Sequence, residues 1–135
     1  MELGGISSRI IRFADTLVGH YRGGLAFAAI IACMIFASIS GSAVATVAAI
    51  GGIIIPEMRA RKYPDGYSTA VVTAAGTMGP IIPPSTTFVI YASIAGVSVS
   101  DMFLGGYIPG ILMGISLMIV AGIKARKMNL PKSPK

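Results

Sequence analysis

A chain of 135 residues with 54% hydrophobic and 12% charged residues is not built like a soluble domain, in which roughly a quarter of residues carry charge. Its formal net charge of +6 does not point to nucleic acid, because the basic residues sit in small groups between or beside apolar windows, the pattern that sets orientation in a membrane. The single cysteine, Cys33, lies inside an apolar window and leaves neither a disulfide framework nor a metal cluster to build.

In chain order, the opening "MELGGISSRIIRFAD" lacks a basic start followed by an apolar run, so no cleavable signal peptide is expected. It leads straight into an amphipathic segment, and the chain is expected to be a fragment. Ile6, Ile10, Phe13, Leu17 and Tyr21 recur at helical spacing, with Arg9, Arg12, Thr16 and His20 between them. The spacing predicts an interfacial helix over 1–22 with its apolar face on membrane lipid.

Residues 23–56 contain no Asp, Glu, Lys or Arg. The segment 23–58 is too long for one straight crossing, and its middle, "SISGSA" at 38–43, has the glycine and hydroxyls of a turn. Two arms of about 15 residues would each reach roughly 22 Å, short of the roughly 30 Å hydrocarbon core. A re-entrant helical hairpin therefore fits better than two crossings. Charge does not separate the two, because either path returns "RARK" at 59–62 to the side of Arg22.

Residues 66–100 and 102–123 are likewise free of Asp, Glu, Lys and Arg. Segment 66–96 is expected to cross and 102–123 to return, joined by an outer loop "GVSVSD". "KARK" at 124–127 then opens a basic cytoplasmic tail over 124–135, and every basic group shares one face. As one helix, 66–96 would run roughly 46 Å, well beyond the core. "GTMGPIIPPS", 76–85, breaks it: Pro80, Pro83 and Pro84 remove backbone donors, and Gly76 and Gly79 admit conformations closed to other residues. A second half-helix is expected to start near Pro84 or Ser85. The fold class is therefore all-α membrane protein: interfacial helix, re-entrant hairpin, broken transmembrane helix and one further transmembrane helix.

Unwound backbone cannot face lipid and has to line a protein-enclosed cavity. Carbonyls at a half-helix C-terminus suit a cation, and free amides at a half-helix N-terminus suit an anion. Ser38, Ser40 and Ser42 place hydroxyls at the hairpin turn, and Ser85, Thr86 and Thr87 place them at the second break. Two broken, hydroxyl-rich segments at mid-membrane point to a transport site. The candidate contacts for ion or solute are Ser40, Ser42, Ser85 and Thr86, with the carbonyls of Gly76, Gly79 and Ile82, and Thr77 as a weaker member. For each hydroxyl, ordinary helix capping is the competing role. Gly41, Ala45, Ala49 and Gly52 have the small-residue spacing of close helix packing.

An intramembrane serine hydrolase is the competing chemistry, since "SGSAV" offers a serine within the apolar region. It requires a neighbouring base. No apolar window contains His, Lys, Asp or Glu, and His20 lies at the interface, so an enzyme is not expected. A structural piece that packs on other membrane subunits is the third reading.

At these residues the chain resembles the large permease subunit of tripartite ATP-independent periplasmic (TRAP) transporters, the DctM-like permeases. The resemblance runs from about Ser7 to Ile123. Its most specific carriers are the ordered set "SGSAVAT" (40–46), "IPEM" (55–58) and "GTMGPIIPPS" (76–85). It implies a sodium-coupled, elevator-type secondary transporter of the bacterial inner (cytoplasmic) membrane, multi-pass, importing organic acids of the C4-dicarboxylate or sialic-acid type. It implies as partners a small TRAP membrane subunit and a periplasmic substrate-binding protein, with no tightly bound cofactor and Na+ as coupling ion. On this sequence it places the hairpin tip at Ser40, Gly41 and Ser42 and the unwound segment at Gly76 to Ser85, cradling Na+ at Ser40, Ser42, Gly76, Gly79 and Ser85. Such permeases carry an inverted second half, and nothing in this chain repeats "SGSAVAT" or "IPPS". The resemblance is thus to the first half, with the second half a missing partner.

Overall fold

The computed structural model describes residues 5–18 and 23–129. His20, Tyr21, Arg22 and the tail beyond Asn129 lie outside the described residues, as does the side chain of Ile6. Among the described residues every regular element is a helix: α1 (Ile6–Val18), α2 (Gly24–Ser40), α3 (Ala43–Ala60), α4 (Asp65–Gly76), α5 (Thr86–Ala95) and α6 (Val99–Lys127).

The centre of the fold is α2. Leu25, Ile30, Cys33 and Phe36 are buried, together with Ala26, Ala28, Ala29, Ala32 and Ala37, and Phe27, Ile31 and Met34 on the remaining face are partly buried against the core. A helix apolar on every side belongs inside, and α2 packs against α1, α3, α4 and α6. The glycines at either end, Gly23 (φ 72) and Gly41 (φ 64), take the left-handed conformation that starts and stops it.

The turn after α2 takes only residues 41 and 42, which is tighter than the 38–43 expected from composition. Ser38 stays helical because its Oγ donates to the Ile35 carbonyl one turn back (2.6 Å), a local bond that a serine can make without leaving the helix. So compact a turn leaves both arms longer than the length expected from the sequence, with 17 residues in α2 and 18 in α3.

α3 and α6 are the two helices long and apolar enough to cross a membrane. Each continues through a proline, Pro56 and Pro109. A proline ring crowds the carbonyl four residues earlier. That position is Gly52 in α3 and Gly105 in α6, where the backbone yields most easily. With 29 residues, α6 is roughly 43 Å long. It begins at Val99, because the Ser98 Oγ accepts from the Asp101 N–H (3.4 Å), and it runs on to Lys127. "GVSVSD" is therefore a short loop over 96–98 followed by helix, and "KARK" is the last helical turn rather than tail.

α1 packs on α2 through Ile11 and Ala14 and leaves Phe13 and Leu17 exposed. It therefore has two apolar stripes. The periodicity reveals the outer one through Phe13 and Leu17, while Ile10, partly buried, packs on the core with Ile11 and Ala14.

One end of the molecule is basic. Gly23 at the start of α2 stands against Ala125 near the end of α6. Tyr67 in the first turn of α4 donates its Oη proton to the Ala121 carbonyl of α6 (2.9 Å). Arg59, Arg61 and Lys62 therefore share an end with Lys124, Arg126 and Lys127. There Arg59 pairs with Asp65 and Arg61 with Glu57, each at 2.9 Å.

Candidate functional site

At the opposite end of α2 the two sequence breaks meet. α4 stops at Gly76 and α5 begins at Thr86, with non-helical chain between them. This is the segment the prolines and glycines predict, and the Pro83–Pro84 peptide within it is cis. Its first half is turned back on itself: Gly79 N–H bonds the Gly76 carbonyl (3.0 Å), and Ile81 and Ile82 N–H both bond the Met78 carbonyl.

The approach of the two breaks is so close that only glycine fits at two points. A Cβ on Gly41 would stand 2.6 Å from the Pro84 carbonyl oxygen and 3.3 Å from the Thr86 nitrogen. A Cβ on Gly79 would stand 2.6 Å from the Ser42 carbonyl carbon and 2.7 Å from the Ala43 nitrogen. A third contact lies one turn away, where a Cβ on Gly76 would meet the Val47 side chain at 2.1 Å. The small-residue seam between α3 and α4 thus uses Gly76 and Gly51, the latter against Val72. The spacing of Ala45, Ala49 and Gly52 predicts a different seam, and Ala45 and Gly52 are exposed.

The hydroxyls at the first break form a connected group. Ser42 caps α3 by accepting from the Ala45 N–H (3.3 Å). The Ser40 Oγ accepts from the Ser42 N–H (3.3 Å) and lies 3.2 Å from the Thr46 Oγ1. Thr46, with 0% exposure, donates to the Ser42 carbonyl (2.7 Å). At the second break the Ser85 Oγ, 1% exposed, accepts from Phe88 N–H (3.3 Å) as the cap of α5 and donates to the Pro80 carbonyl. Capping and site-building are thus not exclusive, since the caps hold the tip in shape.

Of the sequence candidates, Ser40, Gly41, Ser42, Gly79, Ser85 and Thr86 are brought together. Gly76 lies next to them, with its carbonyl already accepting from Gly79. Of the other two, Thr77 stands aside, while Ile82 is a candidate through its carbonyl and not its side chain. Thr77 is exposed, donates to the Ala74 carbonyl (2.6 Å) and lines a cavity of about 420 Å³ between α3 and α4 with Val44, Val47 and Thr73. The Ile82 side chain packs on α6, where it abuts Gly110. Thr46 is the residue that periodicity does not single out. Its only signal is a hydroxyl four places after a capping serine, inside an otherwise apolar helix.

The charge character of this place comes from backbone. The N-termini of α3 and α5 converge on it, and among the described residues the N–H groups of Ala43, Val44, Thr86 and Thr87 make no hydrogen bond. Among the same residues no hydrogen bond falls on the carbonyls of Gly79 or Ile82. Converging helix N-termini favour an anion, while hydroxyl and carbonyl oxygens are hard ligands for a small cation. No group of three or more His, Cys, Asp or Glu side chains is positioned to hold a metal among the described residues. Any ion held here would depend on uncharged oxygens.

The breaks also lie alongside α6 rather than beyond its ends. Gly106 faces the Ile81 carbonyl, and Gly110 faces Ile82. Both glycines are interior to the long helix.

Compared with protein families, residues 1–135 match the one described as tripartite ATP-independent periplasmic transporter, DctM component. The chain is 51% identical over 134 residues to the C4-dicarboxylate TRAP transporter large permease protein DctM of Vibrio cholerae, covering 99% of this chain and 30% of that protein. It is 42% identical to the 2,3-diketo-L-gulonate TRAP transporter large permease protein YiaN of Escherichia coli, covering 100% of this chain and 32% of that protein. To the isethionate TRAP transporter permease protein DctMQ of Oleidesulfovibrio alaskensis it is 49% identical over 118 residues, 87% of this chain and 19% of that protein. The chain thus spans about a third or less of the length of these relatives, which are named as permeases and not as enzymes.

Proposed function

The chain belongs to the DctM component family of TRAP transporters, and from that premise we propose that it is part of the ion- and solute-binding membrane domain of a sodium-coupled importer of small organic anions. The observation that carries the reading is the contact between the two breaks, Gly41 on Pro84 and Gly79 on Ser42. Backbone that leaves the helix at membrane depth needs shelter from lipid, and here each break shelters the other.

In this reading α2 and α3 form a re-entrant hairpin whose tip stops beside the interior of α6. α4 and α5 are the halves of a broken crossing, α6 returns to the basic, cytoplasmic end, and α1 lies in the interface with Phe13 and Leu17 in lipid. Na+ is held by oxygens of Ser40, Ser42, Gly76, Gly79 and Ser85. The free amides at the starts of α3 and α5 face the anionic group of the solute. The three relatives are named for a C4-dicarboxylate, a diketo-gulonate and isethionate, which share an acidic group on a small polar body. That shared chemistry, rather than any one solute, is what transfers to this chain. The whole importer would add a second permease half, a small membrane subunit and a periplasmic binding protein, would work by an elevator motion and would reside in the inner membrane as a multi-pass protein.

Binding of radiolabelled sodium to the purified chain in lipid nanodiscs tests the assignment. Saturable binding that is lost in the Ser42→Ala/Ser85→Ala double variant and kept in Ser93→Ala is the expected result. Binding that the double variant leaves unchanged would contradict it.

A second reading has its own observation. Ile94, Leu104, Ile108 and Leu112 on α5 and α6 are all more than 60% exposed, a surface suited to packing on other membrane polypeptides. A non-transporting structural piece would use that surface and bind no ion.

A further inference from the structure

α4 and α6 are tied at their basic end but open along one side. A cavity of about 350 Å³ lies between Tyr67, Val71 and Ala74 on α4 and Leu117, Val120 and Lys124 on α6. A second, of about 440 Å³, lies between Ala74 and Met78 on α4 and Leu112, Leu117 and Val120 on α6. Because Ala74, Leu117 and Val120 line both, the two are one groove. From Leu112 to Lys124 it follows α6 for roughly 18 Å at the helical rise, about the depth of one leaflet of a roughly 30 Å core.

The groove changes character at one end only. Its walls are otherwise apolar apart from Thr77 and Ser116, whose hydroxyls donate to the Ala74 and Leu112 carbonyls, and its one charge comes at the last turns of α6, where Lys124 and Tyr67 line it. Tyr67 is already committed to the Ala121 carbonyl. Lys124 has no acidic partner among the described residues, where the ion pairs join Arg59 to Asp65 and Arg61 to Glu57. An unneutralised cation at the mouth of an apolar slot is matched by a ligand with a long apolar body and a single anionic end. A further protein helix would have to carry a carboxylate at that one position. Basic pockets between helices at a cytoplasmic membrane face are suited to anionic lipid headgroups.

We propose that the α4–α6 groove binds one anionic phospholipid, with an acyl chain along Ala74, Leu117 and Val120 and the headgroup phosphate at Lys124. The inference rests on the membrane placement proposed above. Bound there, the lipid seals the open side of α4 directly beneath the break that begins at Gly76.

The test is native mass spectrometry of the full chain extracted from bilayers of equal phosphatidylglycerol and phosphatidylcholine. One phosphatidylglycerol is expected to stay bound at activation energies that strip phosphatidylcholine. Lys124→Gln is expected to lower that retention several-fold, and Lys127→Gln, outside the groove lining, to leave it unchanged. Equal retention of the two lipids, or equal loss in both variants, would overturn the site. A photo-crosslinking residue at Val120 is expected to label lipid, and labelling of polypeptide instead would also overturn it. Carbonate washing separates this failure from failure of the membrane placement. A chain that washes off the bilayer refutes the placement, whereas one that stays but shows no lipid preference refutes the lipid site alone.

Discussion

Gly41 and Pro84, far apart in sequence, touch through backbone: a Cβ on Gly41 would lie 2.6 Å from the Pro84 carbonyl oxygen. Gly41 also has φ 64, in the left-handed region, where a side chain costs roughly 1–2 kcal/mol before any clash. Gly41→Ala is therefore expected to lower the Tm of the detergent-solubilised chain and to separate the two breaks. Gly66→Ala, at a glycine of α4 with nothing within 4 Å of a Cβ, is expected to hold or raise the Tm, since alanine gains up to roughly 0.5–1 kcal/mol in a helix. Equal Tm values for the two variants would mean that the contact is not part of the folded chain.

Thr46 tests the hydroxyl group at the tip. Thr46→Val keeps the shape and removes the donor to the Ser42 carbonyl. The Ser42 carbonyl keeps the Thr46 N–H (3.1 Å), so the expected cost is that of one hydrogen bond, about 0.5–1.5 kcal/mol. Thr46→Ser restores the donor and is expected to recover most of that loss in chemical unfolding. If valine and serine behave alike, the bond contributes nothing.

The glycine face of α6 separates backbone neighbours from flexible ones. At Gly106 a Cβ would meet the Ile81 carbonyl at 2.6 Å, whereas at Gly114 it would meet the Met34 thioether at a similar distance. A methionine can swing aside and a carbonyl in a packed turn cannot. Gly106→Ala is expected to destabilise by about 1–3 kcal/mol, and Gly114→Ala by clearly less. The difference is read as a Tm gap between the two variants, and the reverse order would contradict the packing.

Ser85→Ala removes both the cap of α5 and the bond to the Pro80 carbonyl. Losing a cap typically costs about 1 kcal/mol. The expected signature is faster hydrogen exchange at Phe88 and its neighbours, with α2 unaffected. Uniform loss of protection across both helices would instead indicate global destabilisation.

How much of this was legible in the sequence follows from what each signal reports. Gly76, Gly79, Pro80, Pro83 and Pro84 act on their own backbone, so the second break and the start of α5 could be read directly. Ser38 misled because a serine marks a turn only when its own carbonyls do not already satisfy it. The extent of α6 was under-read because the Ser98 cap and the basic last turn are compatible with helix as well as loop. The meeting of Gly41 with Pro84 had no local trace at all. Hydrophobic periodicity reports which face of a helix is buried, not which distant segment buries it; the pointers to their joining were the need of two mid-membrane breaks for shelter and the resemblance to DctM permeases. Thr46 was hidden for the related reason that a buried hydroxyl satisfied by its own helix start leaves the apolar pattern intact.

The central claim, that the joined breaks bind sodium, is tested most directly by single-cysteine labelling in a Cys33→Ala background. Val44, 80% exposed, and Thr87 flank the site without being proposed sodium ligands, and each side chain is replaced by cysteine in turn. The account predicts that sodium slows modification at both positions several-fold relative to potassium at equal ionic strength, and that adding Ser42→Ala abolishes the difference. Identical rates in sodium and potassium at both positions would contradict it.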